Sequence, residues 1–222
     1  MRLLEKLVGI LAPFECINCG QEGEIVCNNC SSGAFPAIPS RCYRCHTATI
    51  DFKLCERCKR VSKLSQVWVR TELRGIPRSL LHAFKFDRAQ AASKLLAARM
   101  GQLINLPENT IVVPIPTATS RVRERGYDHA RLMGRDIANS NNLRLVTGLS
   151  RLDQARQVGA KRDVRLSQLK GAFRVSQRRL IVGAHILLVD DVLTTGATLE
   201  EAALTLKMAG AKKVDAIVFA QA

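Results

Sequence analysis

Two stretches of the chain carry residues whose type and spacing suit chemistry. The first holds all eight cysteines, arranged Cys16-x2-Cys19-x7-Cys27-x2-Cys30 and then Cys42-x2-Cys45-x9-Cys55-x2-Cys58. Two residues between cysteines form a tight turn that aims both sulfurs at one ion. Two such turns complete a tetrahedron, with metal–sulfur bonds of about 2.3 Å for zinc. Short spacers favour each quartet closing on itself, with crossed pairing as the alternative. Eight thiolates fill two sites and leave no open coordination position, so the zinc is structural. His46, beside Cys45, is a bystander where four sulfurs already suffice. Iron–sulfur ligation uses other spacings. A segment this short and polar draws much of its folding free energy from the metal.

The second stretch is Ile186-Leu187-Leu188-Val189-Asp190-Asp191-Val192-Leu193-Thr194-Thr195-Gly196-Ala197-Thr198. An apolar strand delivers two acids, and a small, hydroxyl-rich turn then enters a helix. A helix start presents unpaired backbone N–H groups and a positive dipole end, Gly196 admits close approach, and the threonines add donors. The turn suits a phosphate, and the paired carboxylates suit two hydroxyls of a ribose. A plain acidic strand end with a helix cap, as in receiver domains, gives no reason for Thr-Thr-Gly-Ala-Thr. A third polar group follows the stiff turn at Pro114 and Pro116: Arg121, Arg123 and Arg125 are either a solvated face or a clamp for several phosphates. Lys85 is either a site residue or a surface one.

Elements must hold these groups in place. Apolar periodicity predicts a short strand at 67–69, helical spacing through Leu80, Leu81 and Phe84 and again over 91–100, and a strand at 111–115. A helix over 125–139, a weak strand at 143–147, a strand at 186–189, a helix over 198–208 and a strand at 214–220 complete the pattern. Strands alternating with helices imply a parallel sheet covered on both faces. Ligands then bind beyond the carboxyl ends of the strands, at the turns after Val113 and Val189. Residues 150–179, charged and aperiodic, read as a long excursion that covers the site or moves. Phe84, Phe86 and Tyr127 read as core rather than as platforms for bases. The polar stretch 59–65 separates a cysteine module, residues 1–62, from an α/β domain, residues 63–222.

The chain has 222 residues and a formal charge of +15, falling to +11 with two tetrathiolate zinc ions. From Val67 onward 25 Lys and Arg stand against 13 acids, and over 121–179 the balance is 15 against 5. A basic partner surface belongs to the second unit, with phosphate contacts dominating because aromatics are only 5 %. The apolar run 7–14 is too short for the roughly 20 residues that span a bilayer, and no small-residue cleavage site marks a signal peptide. A reducing, cytoplasmic setting is expected, with peripheral contact at the inner membrane left open.

The stretch at 186–198 resembles the phosphoribosyl pyrophosphate signature of type I phosphoribosyltransferases. Together with the cysteines, further segments resemble the ComF family in order: Leu81 to Phe86 with Lys85, Val113-Pro114-Ile115-Pro116, and Arg121-Val122-Arg123-Glu124-Arg125-Gly126-Tyr127. The resemblance implies a zinc-ribbon module ahead of a phosphoribosyltransferase-like sheet. It implies that Asp190 and Asp191 bind the ribose 2- and 3-hydroxyls and that Thr194, Thr195, Gly196, Ala197 and Thr198 wrap the 5-phosphate. Pro116 would lie where this fold holds pyrophosphate with Mg²⁺. The family follows its aromatic with Asn-Gln where Asp128 and His129 stand here; Gln157 and Arg165 fit later elements, and Gln168 replaces an expected Asn. Two functions follow: handling of single-stranded DNA in natural competence, usually with a helicase-like partner, or phosphoribosyl transfer to an unidentified acceptor. A ligand-sensing regulator is a third.

Overall fold

The computed structural model describes residues 14–86, 90–152 and 171–222. Seven strands form among them: β1 (Val67–Glu72), β2 (Ile111–Pro114), β3 (Arg144–Leu145), β4 (Leu149–Arg151), β5 (Phe173–Val175), β6 (His185–Leu193) and β7 (Lys213–Gln221). Five are parallel in the order β1-β7-β6-β2-β3, and β4 with β5 make an antiparallel pair. Long aliphatic runs build β6 and β7 because both faces of a parallel sheet are covered, which removes any need for polar alternation. Residues Ile186 to Val189 and Val214 to Ala220 are accordingly buried, Asp215 included.

The longer helices are α1 (Gly75–Phe86), α2 (Ala92–Gly101), α3 (Thr119–Arg125), α4 (His129–Ser140) and α5 (Ala197–Met208), beside single-turn helices of three or four residues. The paths from β1 to β2 and from β2 to β3 run one way along the sheet, and the path from β6 to β7 runs the other. Right-handed crossovers therefore set α2 and α4 on one face and α5 on the opposite one. The contacts agree: α2 packs on α4, while α5 packs on β7 and β5. The expected α/β sheet with helices on both faces is what forms.

Several boundaries differ from the sequence expectation, each for a physical reason. The helix expected over 125–139 begins only at His129, and an unforeseen helix, α3, precedes it and ends where Gly126 adopts φ 81° and its N–H closes on the Val122 carbonyl at 2.8 Å. Asp128 then caps α4, accepting from the Arg131 N–H at 3.2 Å. Strand β6 runs past Val189 through the acids to Leu193, because ladder pairing with Val218 and Ala220 is a backbone matter that side-chain polarity does not interrupt. The excursion at 150–179 begins and ends in the β4–β5 hairpin; Gln157, Arg165 and Gln168 lie outside the described residues.

The cysteine segment packs directly on the sheet. Phe35 meets Phe219 of β7 edge-on at 6.0 Å, and the Arg99 guanidinium lies 5.2 Å over the Phe35 ring. Asp51 accepts from Gln66 and, at 3.1 Å, from the Trp68 indole N–H, while Lys53 bridges Gln66 just ahead of β1. One buried cluster thus runs from Val26, Phe35 and Tyr43 into the sheet. Among the described residues no helix is long and apolar enough to cross a membrane, and residues 7–13 of the apolar run lie outside them.

Candidate binding cleft and metal centres

The cysteines gather as two separate quartets, Cys16, Cys19, Cys27, Cys30 and Cys42, Cys45, Cys55, Cys58, with the sulfurs of each within 4.8 Å of one another. The pairing is sequential. Tetrahedral zinc with bonds of about 2.3 Å sets sulfur–sulfur edges of about 3.8 Å. Cys19 to Cys27 measures 3.7 Å and Cys45 to Cys55 measures 3.5 Å, so both quartets fit the ion. Backbone N–H groups of Cys27, Asn18 and Cys19 bring the Cys16 thiol down to about 6, and the side chain and N–H of Thr47 bring Cys45 to about 6. Cys58 moves the other way, pushed up to about 12 by burial and by the thiols of Cys55, Cys45 and Cys42. Four sulfurs this close cannot all ionise without a cation between them.

The second centre is a cleft of about 640 Å³ at the carboxyl ends of β2 and β6. Register sets it up. Val113 pairs with Leu188 and Pro114 with Val189, and the Ile115 N–H donates to the Val189 carbonyl at 2.9 Å. The turn after β2 therefore lies beside the two acids in the last half of β6. Of the residues singled out in the sequence, Lys85, Pro116, Arg121, Arg123, Arg125, Asp190, Asp191 and Thr198 line the cleft. Thr194, Thr195 and Gly196 form the turn between β6 and α5 and Ala197 opens α5, and none of the four lines the cleft. Gly196 sits at φ 77°, the left-handed conformation that the N-cap of α5 requires here.

Asp191 is 6 % exposed, yet its carboxylate reaches the cleft. Lys85 Nζ lies 2.6 Å from its Oδ2 and His129 Nε2 lies 2.7 Å from the same oxygen. Arg125 can only donate, and its NH1 is 3.0 Å from His129 Nδ1. Nδ1 is thereby assigned as acceptor, which leaves Nε2–H to donate to Asp191. The Thr117 hydroxyl donates to Asp128 at 3.0 Å and flanks the same imidazole. His129 is the residue that sequence reasoning passed over. Its signal was the Asp128-His129 pair standing where the family has amides, at the start of α4.

Burial alone would raise the Asp191 carboxyl, but the His129 hydrogen bond and the Lys85 charge outweigh it and hold it well below the usual carboxylate range. Asp190, half-buried, is pushed up to about 7 by burial and by the adjoining Asp191 charge. The pair thus splits into one fixed anion and one acid that titrates near neutrality. Because the folded value of Asp190 lies above its unfolded 3.8, ionisation opposes folding. The penalty is absent below pH 4 and complete above pH 7. Asp190→Asn should therefore raise the unfolding temperature at pH 8, by about 2–4 °C for each kcal/mol relieved, and leave it unchanged at pH 3.5. An equal shift at both pH values would refute this.

Arg125 Nε is buried with no partner among the described residues, an orphaned donor at a wall built of cations. An anion with several oxygens satisfies that wall, while the two acids opposite it accept from a diol. The sequence expectation for Phe86 is corrected: Phe84 is fully buried, but Phe86 is 53 % exposed, with the Arg125 guanidinium 5.0 Å from its ring. Phe86 ends α1, where its ring clears the core that Phe84 enters. Tyr127 stays packed against Phe84 and hydrogen-bonds the Phe84 carbonyl.

Comparison with known proteins adds three relatives and one family. Residues 89–222 match the phosphoribosyl transferase domain family. Competence protein F of Haemophilus influenzae is 30 % identical, the match covering 90 % of this chain and 94 % of that one. Competence protein ComFC of Bacillus subtilis is 25 % identical over 90 % of this chain and 72 % of its own. DNA utilization protein YhgH of Salmonella typhimurium is 28 % identical, covering 85 % and 87 %.

Proposed function

The chain belongs to the ComF family and carries a type I phosphoribosyltransferase fold, and from that premise we propose that it holds a phosphorylated ribose while handling single-stranded DNA during DNA uptake. One observation carries the reading: a pair of acids in the last half of β6 shares a single cleft with Lys85, Arg121, Arg123 and Arg125. Asp190 and Asp191 accept the ribose 2- and 3-hydroxyls, and the turn 194–198 wraps the 5-phosphate. The Pro116 turn and the arginines take the pyrophosphate of phosphoribosyl pyrophosphate. Mg²⁺ would be carried in with the pyrophosphate, where it would supply charge neutralisation beside Asp190 and Asp191.

The relatives' names, competence protein and DNA utilization protein, support a role in DNA uptake or use; we set that role in the cytoplasm, at or near the inner membrane and beside a helicase-like partner. The excess of cations over 121–179 supplies phosphate contacts, and the exposed Phe86 ring, backed by Arg125, offers one stacking surface for a base. Each neutralised phosphate contributes a slope near −0.7 in log affinity against log salt, so about four contacts weaken single-strand binding about 50-fold between 50 and 200 mM salt. A flat salt response would remove the DNA half of the proposal. One feature favours the second reading, transfer to an acceptor: the cleft walls include Ile115, Leu152 and Ala172, an apolar surface that a flat ring would cover. Pyrophosphate release in the presence of a defined base would establish it.

A further inference from the structure

Resting on the phosphoribose reading, we propose that the second cysteine quartet braces the phosphate turn through Tyr43 and Arg44, so that metal at Cys42, Cys45, Cys55 and Cys58 sets the affinity for a 5-phosphate. Tyr43 and Arg44 are the two residues between Cys42 and Cys45, and their backbone follows the metal-binding turn. The His46 N–H closes on the Cys42 carbonyl at 2.8 Å, and the Cys42 N–H on the Thr47 carbonyl at 2.8 Å. Both side chains leave the quartet and converge on Glu200, in the first turn of α5. Arg44 NH1 lies 2.8 Å from Glu200 Oε1, and the Tyr43 hydroxyl donates to that same oxygen. The Lys63 N–H donates to Oε2 at 3.0 Å. Glu200 in turn donates its own N–H to the Gly196 carbonyl at 2.9 Å.

The brace also acts through packing. A Cβ placed on Gly196 would stand 2.5 Å from Tyr43 Cε2, so the ring rests on the bare backbone of the phosphate turn. Tyr43 is itself buried. Two side-chain donors and one aromatic face from the cysteine segment, with the Lys63 N–H just beyond it, thus fix the point where β6 becomes α5. Losing the metal frees the backbone that carries Tyr43 and Arg44, and the turn loses its support. Among the described residues the first quartet shows no such route: its segment meets β7 through Phe35 on Phe219 and α2 through Ser31, whose hydroxyl accepts from Arg99 at 2.5 Å. Tyr43, Arg44 and Glu200 are positioning residues, since only the turn that they support meets the ligand.

The test compares full-length Cys55→Ser with Cys19→Ser, each retaining one intact quartet, and adds Tyr43→Phe and Glu200→Gln, which leave all eight thiols in place. Zinc content is measured for each variant. Calorimetric affinity for ribose 5-phosphate and amide hydrogen exchange over 194–200 are the two readouts. Glu200→Gln and Tyr43→Phe should each weaken the affinity about 3–10-fold and quicken exchange over 194–200, with exchange in β7 unchanged. Cys55→Ser should exceed either variant in both measurements, and Cys19→Ser should stay within about twofold of the unaltered protein. Equal effects of the two cysteine variants, or unaltered exchange at the turn in Glu200→Gln, overturn the proposal. If Cys55→Ser does not fold, the Tyr43 and Glu200 variants decide alone. Failure of the unaltered protein to bind ribose 5-phosphate counts against the phosphoribose reading instead, and the exchange readout still tests the brace.

Discussion

Replacing Asp190 and Asp191 together by alanine should lower the affinity for phosphoribosyl pyrophosphate with Mg²⁺ by at least about 100-fold, since each charged acceptor contributes about 1.5–3 kcal/mol. The single variants separate binding from folding. Asp190→Ala removes a carboxyl whose ionisation opposes folding, so it should bind poorly and melt higher at pH 8. Asp191→Ala leaves Lys85 and His129 without the oxygen they share. It should bind poorly and melt lower, because a part-buried ammonium is then left unpaired. Loss of binding combined with stability changes of opposite sign identifies a ligand pair rather than a structural one. A calorimetric titration in which the double variant matches the unaltered protein would end the assignment.

Chelating the metal should collapse the segment from Phe14 to Ser65. Structural zinc contributes about 10–16 kcal/mol of apparent binding free energy in small modules, against a total stability of about 5–15 kcal/mol for an ordinary domain. The chain contains one tryptophan, and it reports on the junction: Trp68 is 2 % exposed and its indole N–H is held by Asp51 at 3.1 Å. Stripping both quartets should shift its emission to the red and release two zinc ions per chain. The shift should reverse on adding zinc under reducing conditions. Unaltered Trp68 emission after complete metal loss would show that the quartets do not support the junction.

Local pattern made the two quartets and the acid-bearing strand readable. Cys-x2-Cys spacing and an aliphatic run ending in two acids are short-range features, and the fold keeps their order. The end of α3 is also written locally, in a glycine after an arginine-rich last turn, but the apolar positions beyond it draw the expected start of the next helix back to about Arg125. His129 gave only a departure from the family pattern, because its role arises when Lys85, Arg125 and Asp191 meet from three different elements. Tyr43 on Glu200 could not be foreseen, since 157 positions separate the two residues and no periodicity connects them. Phe86 was misplaced because helical spacing tells which residues share a face and not where the helix leaves the core.

The strand order also governs how the protein is made. Among the described residues β1 is the earliest strand of the sheet, and it hydrogen-bonds to β7 and to no other strand. Its Val67, Trp68 and Val69 therefore wait for their ladder until Lys213–Gln221 have been made. An unpaired apolar strand of that kind recruits other nascent chains. The cysteine segment is complete before β1 emerges, and its Asp51 can bond to Gln66 and Trp68 as soon as they appear. It can shelter the waiting strand during synthesis, which makes cellular zinc supply a determinant of how much chain escapes aggregation.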